Sequence, residues 1–386
     1  MEYLLEFCQT PEQENKVKAV IACGSMRAAG RKLGLSKNAV TNTIKALKAR
    51  AAKHGVAPDE GLNHRTPHGF NVARTTTLYD ADGNIKLEWV QNRAEKEHIE
   101  AIKEAAQVLS ESFKGKSLKI KPPKFTNKNT LSVYPMGDPH IGAYAWSEET
   151  GTDVDCDLAA LLYRDAAKFL MADATAEQAL IINVGDFFHA DNSQNMTTRS
   201  HNMLDVDTRY ARVLRLGIAI MKNMIEEALE HHKTVKVINA IGNHDDHSAI
   251  FLKEVLAAFY SNNKRVTIDT SPAKFHYHQF GKVLLGVTHG DTVKPDRLGS
   301  IMTRDCLKII SQSRFRVWHT GHIHKDIVND FNDCTTESHR TLFAGDAWAM
   351  NAGYRSWRSM KRIDYDKECG EFSRKTFSVQ PESLMK

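Results

Sequence analysis

The sequence predicts an α/β protein with parallel, buried strands, preceded by a small helical domain. Three observations carry this. From residue 131 onward, five short apolar runs alternate with helical stretches. The runs are almost continuously apolar, as strands buried on both faces are, rather than alternating. Residues 16–53 hold ten Lys or Arg and no Asp or Glu, with helical spacing of their apolar positions.

Four segments follow, with borders at 1–53, 54–92, 93–128 and 129–386. Residues 11–53 are helical by pattern. In "GSMRAAGRKLGLSKNAVTNTIKALKAR" Leu33 closes one amphipathic helix, Gly34 can take the left-handed turn at its end, and Ser36 can cap the next. In that second helix Val40, Ile44 and Leu47 form one apolar stripe, and Lys37, Asn38, Thr41, Asn42 and Lys45 lie opposite.

Residues 54–92 turn to His, Pro and Gly and end in "TTTLYDADGNIKLEWV", two β-rich runs around an Asp-Gly turn. Such a hairpin behind helices could be a wing. Residues 93–113 place Ile99, Ile102, Ala106 and Leu109 at near-helical spacing, the mark of a connecting helix. The Lys- and Pro-rich run that follows reads as an exposed linker, with a domain boundary near 128.

In the last segment the strands are "LSVYPM", "ALIINV", "VKVINA", "KVLLGVT" and "RFRVWHT", with helices over 157–173, 198–230 and 247–260, and residues 355–386 supplying the last strands of a sheet.

Bulk properties narrow the class. The net charge of +5 hides segregation: the ten front charges and six lysines of residues 114–128 leave a formal −11 on the rest. One end is built to meet a polyanion. The six cysteines are scattered without a C-x-x-C pair, so neither a disulfide framework nor a structural zinc knot is expected. The acidic start and the lack of a long apolar run point to the cytoplasm.

Each of the five strands ends in potential metal ligands: "GDPHIG", "GDFFHADN", "GNHDDH", "HGD" and "GHIH". In open α/β sheets these strand ends line the ligand crevice. Any one cluster has a bland reading as a polar turn; five at equivalent places do not. Asp138 with His140, and His322 with His324, are i, i+2 pairs whose side chains lean one way in extended backbone. Asp, Asn and imidazole without thiolate suit manganese, iron or zinc at coordination five or six. There are too many ligands for one ion, so a two-metal clamp for phosphate esters is expected, with manganese foremost.

The ordered set D-x-H, G-D-x-x-H, G-N-H-D, H-G and G-H-x-H resembles the calcineurin-like metallophosphoesterases over roughly residues 131–350. The resemblance implies a four-layer αββα sandwich. It implies that Asp138, His140, Asp186 and His324 hold one metal, that Asp186, Asn243, His289 and His322 hold the other, and that His244 protonates the leaving oxygen. "GDFFHADN" and "GNHDD" are similar to the SbcD-type DNA repair exonucleases, which makes His189 a second catalytic candidate. A partner ATPase is not implied, because no counterpart of that branch's carboxy-terminal regions is visible.

"SMRAAGRKLGLSKNAVTNTIKAL" resembles a helix-turn-helix, with Ala28 and Ala29 where two helices cross and Lys37, Asn38, Thr41, Asn42 and Lys45 free to meet DNA. The combined expectation is a two-metal phosphodiesterase that cuts DNA, and a homo-oligomer remains open. A small-substrate phosphodiesterase or phosphomonoesterase is the alternative, and a DNA-binding regulator with an inactive phosphoesterase fold the third reading. Asp245 or Asp246 could orient His244, and His247 could open the following helix. His231 and His232 are expected as helix-end positive charge, and His276 and His278 as surface positions on a strand.

Overall fold

The computed structural model describes residues 1–53, 56–58, 62–63, 70–79, 85–94, 115–197, 202–345, 353 and 356–379. The chain divides into two compact units, Met1–Glu104 and Ala105–Lys386.

In the first unit a short 3-10 turn, Glu2–Phe7, precedes three helices: α1 (Pro11–Cys23), α2 (Met26–Leu33) and α3 (Lys37–Lys53). Thr10 caps α1 through the amide of Gln13, and Ser25 caps α2 through that of Ala28. Gly34 ends α2 at φ 68°, and the Ser36 hydroxyl accepts the Ala39 amide at 3.1 Å to start α3. Val40, Ile44 and Leu47 are at most 2% exposed and pack with Leu4, Val17, Val20 and Ala29. Each such burial stabilises by about 1.5–3 kcal/mol, enough to hold helices too short to persist alone. Behind them, strands β1 (Phe70–Tyr79) and β2 (Ile85–Ala94) pair antiparallel, with Leu78 opposite Leu87. Arg93 and Ala94 close β2 rather than opening a helix; the rest of the expected connecting helix lies outside the described residues.

The second unit is built on two sheets. Strands β3 (Asn127–Met136), β4 (Ala176–Asn183), β5 (Thr234–Asn239) and β6 (Val266–Ile268) run parallel. The antiparallel pair β12 (Ser359–Asp366) and β13 (Gly370–Ser378) extends this sheet beyond β3. The second sheet has the order β10 (Ile327–Asp330), β11 (Thr335–Ser338), β9 (Phe315–Thr320), β8 (Val283–Val287), β7 (His276–Phe280).

Alternation sorts the apolar runs between layers. Leu131, Val133, Leu180 and Ile182 meet Val283, Leu285 and Val287 between the sheets. Their odd-one-out neighbours Tyr134, Met136, Ala179 and Ile181 face helices α4 (Cys156–Met171), α5 (Tyr210–His231) and α6 (Ser248–Phe259). Across the second sheet, Leu284 and Trp318 pack on α7 (Leu298–Asp305). The result is the expected four-layer αββα sandwich.

Several local expectations are corrected. Helix α5 begins at Tyr210, not near 198, because residues 202–209 form irregular backbone bonded to residues 142–144 and 195–197. The Lys-rich expected linker is tied to this unit: the Gly115 amide donates to Ala258, Arg265 donates to the Ile120 carbonyl, and Ile120 joins the core. His276 is 2% exposed and faces Asp269, so it is no surface residue.

His232 is not a helix-end cation either. It is fully buried, its Nδ1 donating to the Ala176 carbonyl at 2.7 Å while Nε2 meets the Tyr134 hydroxyl at 2.8 Å. Both ring nitrogens are satisfied in the neutral form, and burial pushes the ring's pKa down to about 4. Unfolded histidine titrates near 6.5, so the stability held by neutral His232 is complete above that pH and is lost as pH falls through about 4. Urea unfolding of the wild type and His232→Gln should therefore converge by about 3 kcal/mol between about pH 7 and pH 4. Parallel pH profiles would show that this ring does not titrate on unfolding.

No described helix is long and apolar enough to cross a membrane, and all six cysteines are free thiols.

Candidate metal centre

Strands β3, β4 and β5 of one sheet and β8 and β9 of the other each end within a few residues of a candidate ligand. The turn after β3 is stitched to the turn after β4: the His140 amide donates to Asp186 and that of Ile141 to Phe187. The turn after β8 is stitched to that after β9 by the Gly321 amide and the His289 carbonyl. Asp138 closes the gap between sheets, accepting the His322 amide on both carboxylate oxygens at 2.9 and 3.0 Å.

Glycine precedes the ligands for a steric reason. A Cβ on Gly242 would sit 2.0 Å from Asp186 Oδ1, and one on Gly321 would sit 2.3 Å from Asp138 Oδ2. These carboxylates rest directly on backbone.

Backbone strain marks the same residues. Among the described residues six non-glycines have positive φ, and five are candidate ligands: Asp138 (38°), His140 (46°), Asp186 (50°), His322 (68°) and His324 (54°). The sixth is Asn195. Such a conformation costs about 1–3 kcal/mol per residue and persists where the surroundings impose it, above all at functional sites.

The donors converge in two sets. Asp138, His140 and His324 form one and Asp186, His289 and His322 the other, the donor atoms of each set lying within 4.8 Å of one another. Asn243 joins the second through Oδ1, 3.0 Å from His289 Nε2. Neighbouring donors are 3.1 Å apart for His140 Nε2 and His324 Nε2, 3.5 Å for Asp138 and His324, and 3.1 Å for Asp186 and His289. An ion bound at about 2.1 Å in octahedral geometry has ligand edges of about 3 Å, so both sets fit a divalent cation. His289 Nδ1 donates to the Val184 carbonyl at 3.0 Å, which leaves Nε2 as its ligand nitrogen and fixes the ring. Burial opposes charge on Asp186, yet the facing His289, His244 and His140 outweigh it and hold the carboxyl far below its ordinary range.

His244 and His189 stand over this floor. The His244 amide donates to Asp186 Oδ1 at 2.8 Å, and its Nδ1 donates to the His189 carbonyl at 2.8 Å. Nε2 of His244 is thereby the nitrogen left for proton transfer. Neither expected aspartate orients it: Asp245 is buried, accepting the amides of Phe187, Phe188 and Gly242, and Asp246 faces Lys274. The His189 ring stacks on His244 at 5.4 Å, with Nδ1 3.2 Å from His140 and a buried Nε2 lacking any protein partner. Burial pushes its pKa down to about 3, so the ring is neutral. His247 opens α6, as expected, and with Ser248 is held by Asp191.

Asp245, expected as a possible partner of His244, instead braces the β4 and β5 turns against each other. Two supporting residues, Phe343 and Thr341, escaped the sequence reading. Phe343 lies 6.0 Å from the His140 ring and 6.3 Å from that of His189, walling the site, and the Thr341 hydroxyl donates to the Asp138 carbonyl. Within the short apolar run of "RTLFAGD" nothing set Phe343 apart. Among the described residues His140, His189 and His244 also converge, Glu227, Glu230 and His231 cluster on α5, and His319, Glu337 and His339 are buried in the second sheet. Glu337 is already met by Arg374 and Lys361, so its charge is balanced without a cation.

No family model and no curated protein sequence matches the chain. Solved structures do. A novel archaeal phosphodiesterase aligns at 14% identity and TM-score 0.32, over 64% of this chain and 99% of that one. A predicted phosphoesterase from Streptococcus pneumoniae aligns at 9% identity and TM-score 0.28, over 66% and 100%. Vps29 complexed with zinc, from Entamoeba histolytica, aligns at 12% identity and TM-score 0.25, over 65% and 99%.

Proposed function

We propose that this chain is a metal-dependent phosphodiesterase that cuts DNA, of the SbcD-type kind, with its front helices as the DNA-binding element. The observation that carries the reading is the convergence of five strained ligands from three strand ends, joined by Asn243 and His289 from two more, beneath a histidine whose Nε2 is left free. Two divalent cations, manganese foremost, would activate water and neutralise charge on a phosphate diester. Asp138, His140, Asp186 and His324 would hold one, and Asp186, Asn243, His289 and His322 the other. Asp186 fits the shared role because its two oxygens face different ways, one to His244 and one to His289.

The chain's own groups supply the rest. His244, anchored at Nδ1, gives the proton on Nε2 to the departing sugar oxygen. His189 offers its unpartnered Nε2 to a phosphoryl oxygen as charge develops. Phe343 keeps one wall of the site dry, which strengthens both interactions.

DNA is the favoured substrate because of the front unit. On α3, Lys37, Asn38, Asn42 and Lys45 are exposed and Thr41 half-exposed, opposite the buried stripe, as a recognition helix requires. The Lys37→Gln/Lys45→Gln variant should bind duplex DNA more weakly and lower the slope of log affinity against log salt by about 2, as two lost phosphate contacts do. An unchanged slope places these lysines off the DNA.

The deciding experiment incubates the protein and manganese with linear, nicked, circular and single-stranded DNA beside bis(p-nitrophenyl) phosphate. Cleavage of a DNA form is expected. Turnover of the small diester alone would make this a small-substrate enzyme.

A further inference from the structure

We infer that Tyr144 and Trp146 form a nucleobase-stacking subsite beside the metal centre, with Glu149 and Asp205 accepting from the amino edge of the base; this rests on the nucleic-acid reading above. The four residues and Ala145 line a cleft of about 320 Å³.

The placement follows from the backbone leaving His140. The Ala143 amide donates to the His140 carbonyl at 3.0 Å, a tight turn whose ends are under about 7 Å apart, so the Tyr144 Cα lies within about 11 Å of that of His140. The chain then runs extended and alternates. Ala143 and Ala145 are 2% exposed and pack in a cluster with Phe343, whose ring faces His140. Tyr144 and Trp146 therefore face outward, 40% and 49% exposed. A platform within that bound is in reach of a base adjoining a phosphate held at the proposed metals.

The platform is rigid. Ala145 and Val154 exchange both amide bonds at 2.9 Å, the Tyr144 amide donates to Asp205 at 3.1 Å, and the Trp146 carbonyl accepts from the Thr150 amide and hydroxyl. Little ordering entropy is lost when a base lands on it. Rigid exposed aromatics are how sequence-tolerant sites hold single strands.

The carboxylates decide which part of a strand enters. Glu149 and Asp205, both exposed, repel phosphate, so the backbone stays outside and the base turns in. A carboxylate accepts from the amino groups of cytosine, adenine or guanine, and guanine adds its ring N–H. Thymine offers one ring N–H flanked by two carbonyls that a carboxylate repels, and no amino group. The subsite thus favours amino-bearing bases, guanine most, at the nucleotide next to the scissile phosphate.

The test uses the full chain with manganese, single-stranded thymidine oligonucleotides with and without one guanosine, and bis(p-nitrophenyl) phosphate. The Tyr144→Ala/Trp146→Ala variant should turn over the small diester within about twofold of wild type while cutting oligonucleotides roughly tenfold or more slowly, through KM. Trp146→Phe should restore most of the loss. Wild type should cut preferentially beside the guanosine, and Glu149→Gln/Asp205→Asn should lose that preference. Equal oligonucleotide cutting by wild type and the Tyr144→Ala/Trp146→Ala variant overturns the subsite and leaves the nuclease reading standing. Wild type that hydrolyses the small diester but no nucleic acid overturns both.

Discussion

Asp186→Asn should lower turnover of both DNA and bis(p-nitrophenyl) phosphate by about a thousandfold or more, while leaving binding of DNA by the front unit unchanged. Asp186 is the carboxylate proposed to be shared by both cations, and it also touches the proposed proton donor: Oδ1 accepts the His244 amide at 2.8 Å and Oδ2 lies 3.1 Å from His289. Asparagine has the same shape. Its Oδ1 can still accept the His244 amide, so the β4 turn and the rest on Gly242 survive, and what is lost is the negative charge between the two proposed cation sites. A carboxylate can serve two ions; an amide can offer one neutral oxygen to one. Metal content after dialysis against manganese should therefore drop along with the rate. Equal metal content and wild-type rate would mean that Asp186 holds no metal and that the donor sets have been assigned wrongly.

The legibility of this site in the sequence has a physical basis, and so do its limits. Glycine followed by a ligand is visible at four of the five strand ends because backbone must approach a carboxylate, as at Gly242 and Gly321, and Asp138, Asp186 and His322 then turn sharply. The strands were visible because layers buried on both faces demand unbroken apolar runs. Long-range placement of polar groups was not. His232 looked like a helix-end cation until Tyr134 and the Ala176 carbonyl, both far away in sequence, enclosed it. His276 alternated like a surface residue, yet it is buried beside Asp269. The orienting partner of His244 was sought among neighbouring aspartates because side chains are what a sequence displays. The partner is a main-chain carbonyl on the next strand's turn, which no residue type announces.

His244→Ala is expected to separate two substrates that Asp186→Asn affects alike. A sugar alkoxide leaves poorly without a proton, and a positioned general acid contributes about a hundred- to ten-thousandfold. A p-nitrophenolate leaves readily as the anion. The variant should therefore lose most of its activity on DNA and far less on bis(p-nitrophenyl) phosphate, and its kcat/KM on DNA should lose the alkaline limb that deprotonation of a general acid produces. Geometry assigns the role to this ring: Nδ1 is committed to the His189 carbonyl, the amide is committed to Asp186, and the ring meets His140 edge-on at 4.9 Å, so that Nε2 is the one group left to act. Removing the side chain leaves the amide contact to Asp186 in place, and metal content should stay at the wild-type level. Equal losses on the two substrates, with the alkaline limb retained, would make His244 a positioning residue and move the proton donor elsewhere, His189 being next in line through its unpartnered Nε2.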